Sequence, residues 1–115
     1  MTTFEAGDVV DVPFPFIDAR TTKLRSALAL SSAEFQQQTG SCLLVMLTSA
    51  ERSHWPNDVL LEDWASAGLK KPTILRWKVF TLEESLIVGK RGRCTDRDLS
   101  SIRKAMLEVF SGWSL

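Results

Sequence analysis

Between Gly7 and Phe16 the chain reads Gly-Asp-Val-Val-Asp-Val-Pro-Phe-Pro-Phe. Val10, Val12 and Phe14 fall on one side and Val9, Asp11 and Pro13 on the other, the two-residue period of a strand with one apolar face. Pro13 and Pro15 have no amide donor, so they end this strand or place it at a sheet edge. The polar stretch Ile17 to Leu24 carries Asp18, Arg20, Thr21, Thr22 and Lys23 and reads as a loop between two strands. Arg25–Leu30 and Cys42–Thr48 are the next two predicted strands, joined by a polar turn over Ser31–Ser41. The second is apolar on both faces and is therefore expected at the centre of the sheet. A loop from Ser49 to Asn57 holds His54 and Trp55. Shorter strands are predicted at Asp58–Leu61, Thr73–Trp77 and Glu84–Lys90.

The period then changes. Thr95-Asp-Arg-Asp98 has the spacing of a helix cap followed three residues later by an acid. Leu99, Ile102, Met106, Val109 and Phe110 recur at helical spacing until Gly112, predicting one helix that lays an apolar stripe on the sheet. Many short strands in a small chain favour a barrel or strongly curved sheet. The expected class is mainly β with α (α+β): an SH3-like barrel of antiparallel strands with a C-terminal helix. No internal repeat or low-complexity tract divides residues 1–115, so one domain is expected.

At 115 residues the chain has no room for a separate cofactor domain. Its 14 Lys and Arg balance 14 Asp and Glu, which excludes a polybasic protein whose affinity for nucleic acid is visible in net charge. The zero conceals an asymmetry. From Lys70 to Arg93 there are seven basic residues against Glu83 and Glu84, a local excess of +5 that allows a basic surface patch. Cys42 and Cys94 are far apart and the chain opens with no apolar leader, so reduced cysteines and a cytoplasmic location are expected. The longest apolar run, Leu43–Leu47, is too short to cross a membrane. With one histidine and no Cys-x-x-Cys, no metal and no cofactor are expected.

Gly89-Lys-Arg-Gly-Arg93 lacks the spacing and following helix of a phosphate loop, and no serine is framed as a nucleophile elbow. His54 reads as an ordinary loop histidine. What stands out is a metal-free constellation: Arg25 at the start of one strand and Thr48-Ser49 at the end of another. Arg25 as a surface cation paired with Asp18 or Glu34, and Thr48 as a residue chosen for strand propensity, are the plainer readings of the same positions. Among the tryptophans, Trp64 and Trp77 read as packing residues or part of a dimer interface. Trp55, in a polar loop beside Pro56, is the candidate for stacking on a base.

These residues carry a family resemblance. Gly7-Asp8-Val9-Val10 with Val12-Pro13-Phe14-Pro15-Phe16, Lys23-Leu-Arg25-Ser-Ala-Leu28, Leu47-Thr48-Ser49 and Ala67-Gly68-Leu69-Lys-Lys-Pro-Thr73, followed by Gly92 and the final helix, resemble in order and spacing the MazF/PemK family of type II toxin-antitoxin toxins. The resemblance implies a homodimeric mRNA interferase: a sequence-specific, metal-independent endoribonuclease on single-stranded RNA. The substrate's own 2′-hydroxyl is then the nucleophile, and a cyclic phosphate and a 5′-hydroxyl are the products. By the same resemblance Arg25 and Thr48 are the catalytic residues. Asp18, Arg20, Lys23, Ser49 and Trp55 are the RNA-binding candidates. Arginine suits the task because its planar fork donates paired hydrogen bonds to phosphate and stays charged.

The implied partners are single-stranded RNA and a cognate antitoxin inserting an extended segment into the same groove, with DNA reached only through the antitoxin complex and no membrane. One departure stands out: the family motif has proline after the arginine, and here Ser26 follows, leaving the backbone freer beside Arg25. Two alternatives come from other classes. One is a gyrase-directed toxin acting by protein contact through Trp113-Ser-Leu115. The other is a non-catalytic member that binds antitoxin or nucleic acid without turnover.

Overall fold

The computed structural model describes residues 2–13, 23–51 and 54–113. Six strands form one antiparallel sheet: β1 (Asp8–Pro13), β2 (Leu24–Ala29), β3 (Ser41–Ser49), β4 (Val59–Leu60), β5 (Thr73–Glu83) and β6 (Gly89–Arg93). Their order across the sheet is β4-β5-β3-β2-β1-β6, with helices α1 (Ala33–Thr39) and α2 (Asp96–Val109) added. The sheet curls into a half-barrel, the expected class of fold. Strand β3 lies inside it with β2 on one edge and β5 on the other, which explains its two-sided apolar sequence.

Strand β3 separates two cores. One face gathers Val10, Val12, Ala27, Ala29, Cys42 and Leu44 with Phe4, Leu82 and Ile87. The opposite face gathers Val9, Leu28, Val45, Leu47 and Leu75 against Ile102, Leu99, Ala105 and Met106 of α2. Val9 is fully buried beneath the helix, so β1 is apolar on both faces at this point, where the alternation predicts one apolar face. The helix stripe also ends sooner than its period suggests. Val109 and Phe110 are 39% and 43% exposed, because α2 runs past the edge of the surface it covers.

Three further elements depart from expectation. Ser31–Ser41 contains the helix α1, whose Ser32 side chain accepts the amide N–H of Phe35. The polar helix is held because buried Gln36 accepts the Phe4 amide at 2.7 Å and donates to the Thr2 carbonyl and to Glu84, each at 2.9 Å. Strand β5 runs to Glu83, well past Trp77, through an irregularity in its pairing opposite Val45 and Met46. The segment Glu84–Leu86 is a 3-10 turn, and β6 follows only from Gly89.

Helix α2 is fastened at its start. Thr95 caps it as the spacing predicts, accepting the Asp98 amide, while buried Asp98 accepts the amides of Glu62 and Asp63 at 2.8 and 2.9 Å. Asp63 in turn binds Thr95 and Arg97, and those two hydrogen bonds hold its carboxyl below the usual range. The turn so anchored brings Ala67-Gly68-Leu69 against β6. Gly68 has φ +87°, and a Cβ on Gly92 would run into the Ala67 carbonyl, so both positions require glycine. Both cysteines are free and buried. Burial, reinforced by the Asp98 carboxylate, pushes the Cys94 thiol up to about 11, and burial with Glu84 also raises Cys42, leaving both in the unreactive thiol form.

Two substitutions test this scaffold. Gly92→Ala is expected to lose about 1–3 kcal/mol of stability from the forced backbone contact, measured by urea unfolding. Asp98→Ala should lose roughly 2 kcal/mol or more, because two amides lose a charged acceptor. A wild-type midpoint in either variant contradicts the packing described.

Candidate active site

The pairing register builds the site. Val10 faces Ala27, Ala27 faces Met46, and Met46 faces Arg76, so these four side chains form one row across the sheet. Two residues along each strand, on the same face, Val12 faces Arg25 and Thr48 faces Ile74. On that face Arg25 lies two residues before Ala27 on β2 and Thr48 two residues after Met46 on β3, beyond the last β2–β3 pair, so both stand at the same end of it. Apolar side chains thus fill one end of this face, and Arg25, Thr48 and Arg76 occupy the other.

That polar end is a cleft of about 530 Å³ lined by Arg25, Ser26, Thr48, Ser49, Lys70, Lys71, Thr73, Arg76, Lys78 and Arg91, with Leu24, Met46, Leu47 and Leu69 as its apolar wall. Six of the lining side chains are cationic and none is a carboxylate. Two of the six are neutralised in place. Arg76 makes a forked ion pair with Asp58, at 2.8 and 3.3 Å, and Arg91 a forked pair with Asp11, at 2.9 and 3.1 Å. The hydrogen bonds to these carboxylates raise both guanidinium pKa values above the ordinary arginine value. Among the described residues, Arg25, Lys70, Lys71 and Lys78 have no carboxylate partner.

Arg25 is the distinctive one. Its Nε is buried and has no hydrogen-bond partner among the described residues, although such a buried donor ordinarily finds one. Glu34 makes no pair with it. A guanidinium with an unmet donor, sharing with a threonine hydroxyl a cleft that no carboxylate lines among the described residues, has the chemistry to receive an anion such as phosphate.

Of the remaining sequence candidates, Ser49 lines the cleft beside Thr48. Lys23 is exposed just before β2 and does not line it. Asp18 and Arg20 lie outside the described residues. Trp55 is 43% exposed and does not itself line the cleft, but two residues that do, Arg76 and Lys78, are each 5.2 Å from its ring centroid. Trp64 and Trp77 pack on the α2 side as expected, and the Trp77 indole donates to the Asn57 carbonyl. The +5 segment supplies five of the six cleft cations. Its Arg76 and Lys78, two apart in a strand, were the sequence signal for individual site residues there. Asp58 carried no such signal, since its partner is 18 positions away.

The family described as PemK-like, MazF-like toxin of type II toxin-antitoxin system matches residues 5–110. The chain belongs to this PemK/MazF-like toxin family. Solved structures of similar shape include MazE-MazF from Deinococcus radiodurans, 20% identical over 96% of this chain and 98% of that one, with TM-score 0.75. An endoribonuclease in complex with its cognate antitoxin from a mycobacterial species is 15% identical over 96% of each chain, with TM-score 0.74. An endoribonuclease from a mycobacterial species is 17% identical, covering 100% of this chain and 97% of that one, with TM-score 0.73. At these identities the likeness establishes the fold. No curated protein matches the chain by sequence. In this PemK/MazF-like toxin no described helix is long and apolar enough to cross a membrane, and no group of His, Cys, Asp or Glu among the described residues could hold a metal ion.

The Asp58–Arg76 pair sets a pH expectation. Burial resists ionisation of Asp58, but the hydrogen bonds from Arg76 and from the Trp55 amide, with the nearby charges of Arg76 and His54, outweigh it and hold the carboxyl below its ordinary 3.8. A lowered folded value means that the pair's contribution is complete above 3.8 and is lost as pH falls through the folded value. The stability difference between wild type and Asp58→Asn should therefore stay constant from pH 7 to about pH 4 and shrink below it. Urea unfolding across that range measures it, and a difference already falling between pH 7 and 5 contradicts the assignment.

Proposed function

We propose that this chain is the toxin of a type II toxin-antitoxin pair and acts as a metal-independent endoribonuclease on single-stranded RNA. The observation that carries the reading is Arg25, its Nε buried and without a partner among the described residues, lining one cationic cleft with Thr48. Family membership and the likeness to endoribonuclease folds support it.

In the proposed reaction the ribose 2′-oxygen attacks the adjacent phosphorus and the bond from phosphorus to O5′ breaks. One proton leaves the 2′-hydroxyl and one arrives at O5′, giving a 2′,3′-cyclic phosphate and a 5′-hydroxyl with no water consumed. The residues' main work is positioning and charge stabilisation. The Arg25 fork holds the non-bridging oxygens as negative charge builds on them, and the Thr48 hydroxyl donates to the same phosphate. Ser49 extends the hydrogen-bonding edge. Lys70 and Lys71 attract the flanking phosphates. An arginine holds its proton too firmly to be a good general base, so proton removal is assigned no residue.

The same reading makes the protein a cytoplasmic homodimer inhibited by a cognate antitoxin whose extended segment competes for the cleft; MazE-MazF complexes among the structures of similar shape support the antitoxin partner. Ser26 lines the cleft beside Arg25 and adds a hydroxyl where the family motif has proline.

Purified protein is expected to cleave unstructured RNA in EDTA. Arg25→Ala should lower the rate at least about 100-fold, the scale of losing one transition-state donor, and Thr48→Val by a smaller factor, both with unchanged melting temperature. RNA left intact across several sequences contradicts the enzymatic reading. Phe110 and Trp113, 43% and 72% exposed at the C-terminal end, support one alternative, toxicity through protein contact. Growth arrest that survives Arg25→Ala and disappears on removal of residues 112–115 would decide for it.

A further inference from the structure

Beside the Arg25–Thr48 pair the cleft carries a second built arrangement, and the proposed cleavage step does not use it. The Asp58 carboxylate accepts both arms of the Arg76 guanidinium and also the Trp55 backbone N–H, at 2.8 Å. One anion therefore fixes a cation and the loop that bears the indole. Arg76 is only 6% exposed and lies 5.2 Å from the Trp55 ring centroid, while Trp55 as a residue is 43% exposed. Lys78, exposed and equally close to the ring, has no carboxylate partner among the described residues. Arg76 occupies the sheet row next to that of Thr48, about 7 Å along the strand, on the scale of one nucleotide step of an extended strand.

An exposed tryptophan backed by a buried, ion-paired arginine is a rigid platform. Ordering it on binding costs little, because the carboxylate and the guanidinium already hold it. An exposed ammonium that touches the ring and has no carboxylate partner among the described residues suits the phosphate of the base that lands there. With Arg76 neutralised by Asp58, Lys78 is the group left to answer a phosphate charge.

We propose that Trp55 and Lys78 form a nucleotide subsite next to the cut, in which the base stacks on the indole and its phosphate meets the ammonium. Arg76 and Asp58 are positioning residues that hold the platform. This rests on the ribonuclease reading and deepens it: the subsite governs grip and register on the strand, while Arg25 and Thr48 govern the bond that breaks.

A 12-nucleotide single-stranded RNA of randomised sequence, 2′-O-methylated throughout, lacks the nucleophile and so reports binding alone. By fluorescence anisotropy, Trp55→Ala is expected to weaken binding about 5- to 150-fold, the range of one stacked base. The slope of log affinity against log salt should be unchanged in that variant. Lys78→Ala should weaken binding and reduce that slope by about 0.7, the value for one phosphate contact on a single strand. Trp55→Phe should recover most of the lost affinity, which a merely structural role for the indole does not predict. Asp58→Asn releases the Arg76 charge and loosens the loop, so it should steepen the salt dependence while weakening binding at high salt, where stacking dominates. On cleavable RNA, Trp55→Ala should raise KM and leave kcat within about threefold.

Wild-type protein that cleaves RNA while Trp55→Ala and Lys78→Ala both bind within twofold of wild type overturns the subsite and leaves the ribonuclease reading standing. Wild-type protein that neither binds nor cleaves overturns both. A Trp55→Phe variant as weak as Trp55→Ala, with both folded by thermal denaturation, overturns stacking.

Discussion

The antiparallel register of β3 against β2 and β5 decides which side chains meet in this protein, because a slip of one residue would turn every side chain of β3 to the opposite face. That register is pinned from both sides. Val45 and Leu47 are drawn beneath α2 and Leu44 into the other core, and a slip would expose apolar side chains that each stabilise the fold by roughly 1.5–3 kcal/mol when buried. With β3 fixed, Arg25, Thr48 and Arg76 come to the same cleft. The cleft is the hydrophilic end of an otherwise apolar face, so the forces that fold the sheet also place the chemistry.

Charge is distributed by the same geometry. The chain has no net charge, yet its acids are drawn into ion pairs that occupy some cations and spare others. Asp8 pairs with Lys90 and Arg93, Asp11 with Arg91 and Asp58 with Arg76. Four cations without such partners among the described residues, Arg25, Lys70, Lys71 and Lys78, collect around one cleft. A locally positive site on a neutral protein suits a partner gripped over a few phosphates, with weak attraction elsewhere on the surface. Arg76 and Arg91 carry structure in this scheme: one backs Trp55, the other ties β6 to β1 and to the Gly68 carbonyl.

Where the sequence was legible, the signal was local. Two-residue alternation and the prolines marked β1, the doubly apolar run marked β3, and Thr95 with the spacing from Leu99 marked α2. Where it misled, the deciding contact was distant. Helix α1 is polar and short, and a buried Gln36 bonded to the amide of Phe4 and to Glu84 stabilises it, a contact no local pattern contains. Strand β5 passes the point where its alternation breaks because β3 continues to pair with it beyond the irregularity. Val109 and Phe110 keep the helical period yet stay exposed, since the sheet beneath α2 ends before they do.

The sequence by itself determined the elements and the pairing of residue types with tasks: a strand beginning at an arginine, another ending in Thr-Ser, a basic stretch after Lys70, and motif order that identifies the family. Those follow from short-range sterics and from apolar periodicity, which act between neighbours in the chain. Only the tertiary structure decided which basic residues face the cleft, which are tied up by carboxylates, and that Asp58 joins Trp55 to Arg76. Ion pairs and stacking act between groups brought within a few ångströms by folding, so residues remote in sequence acquire their roles only once the sheet has curled.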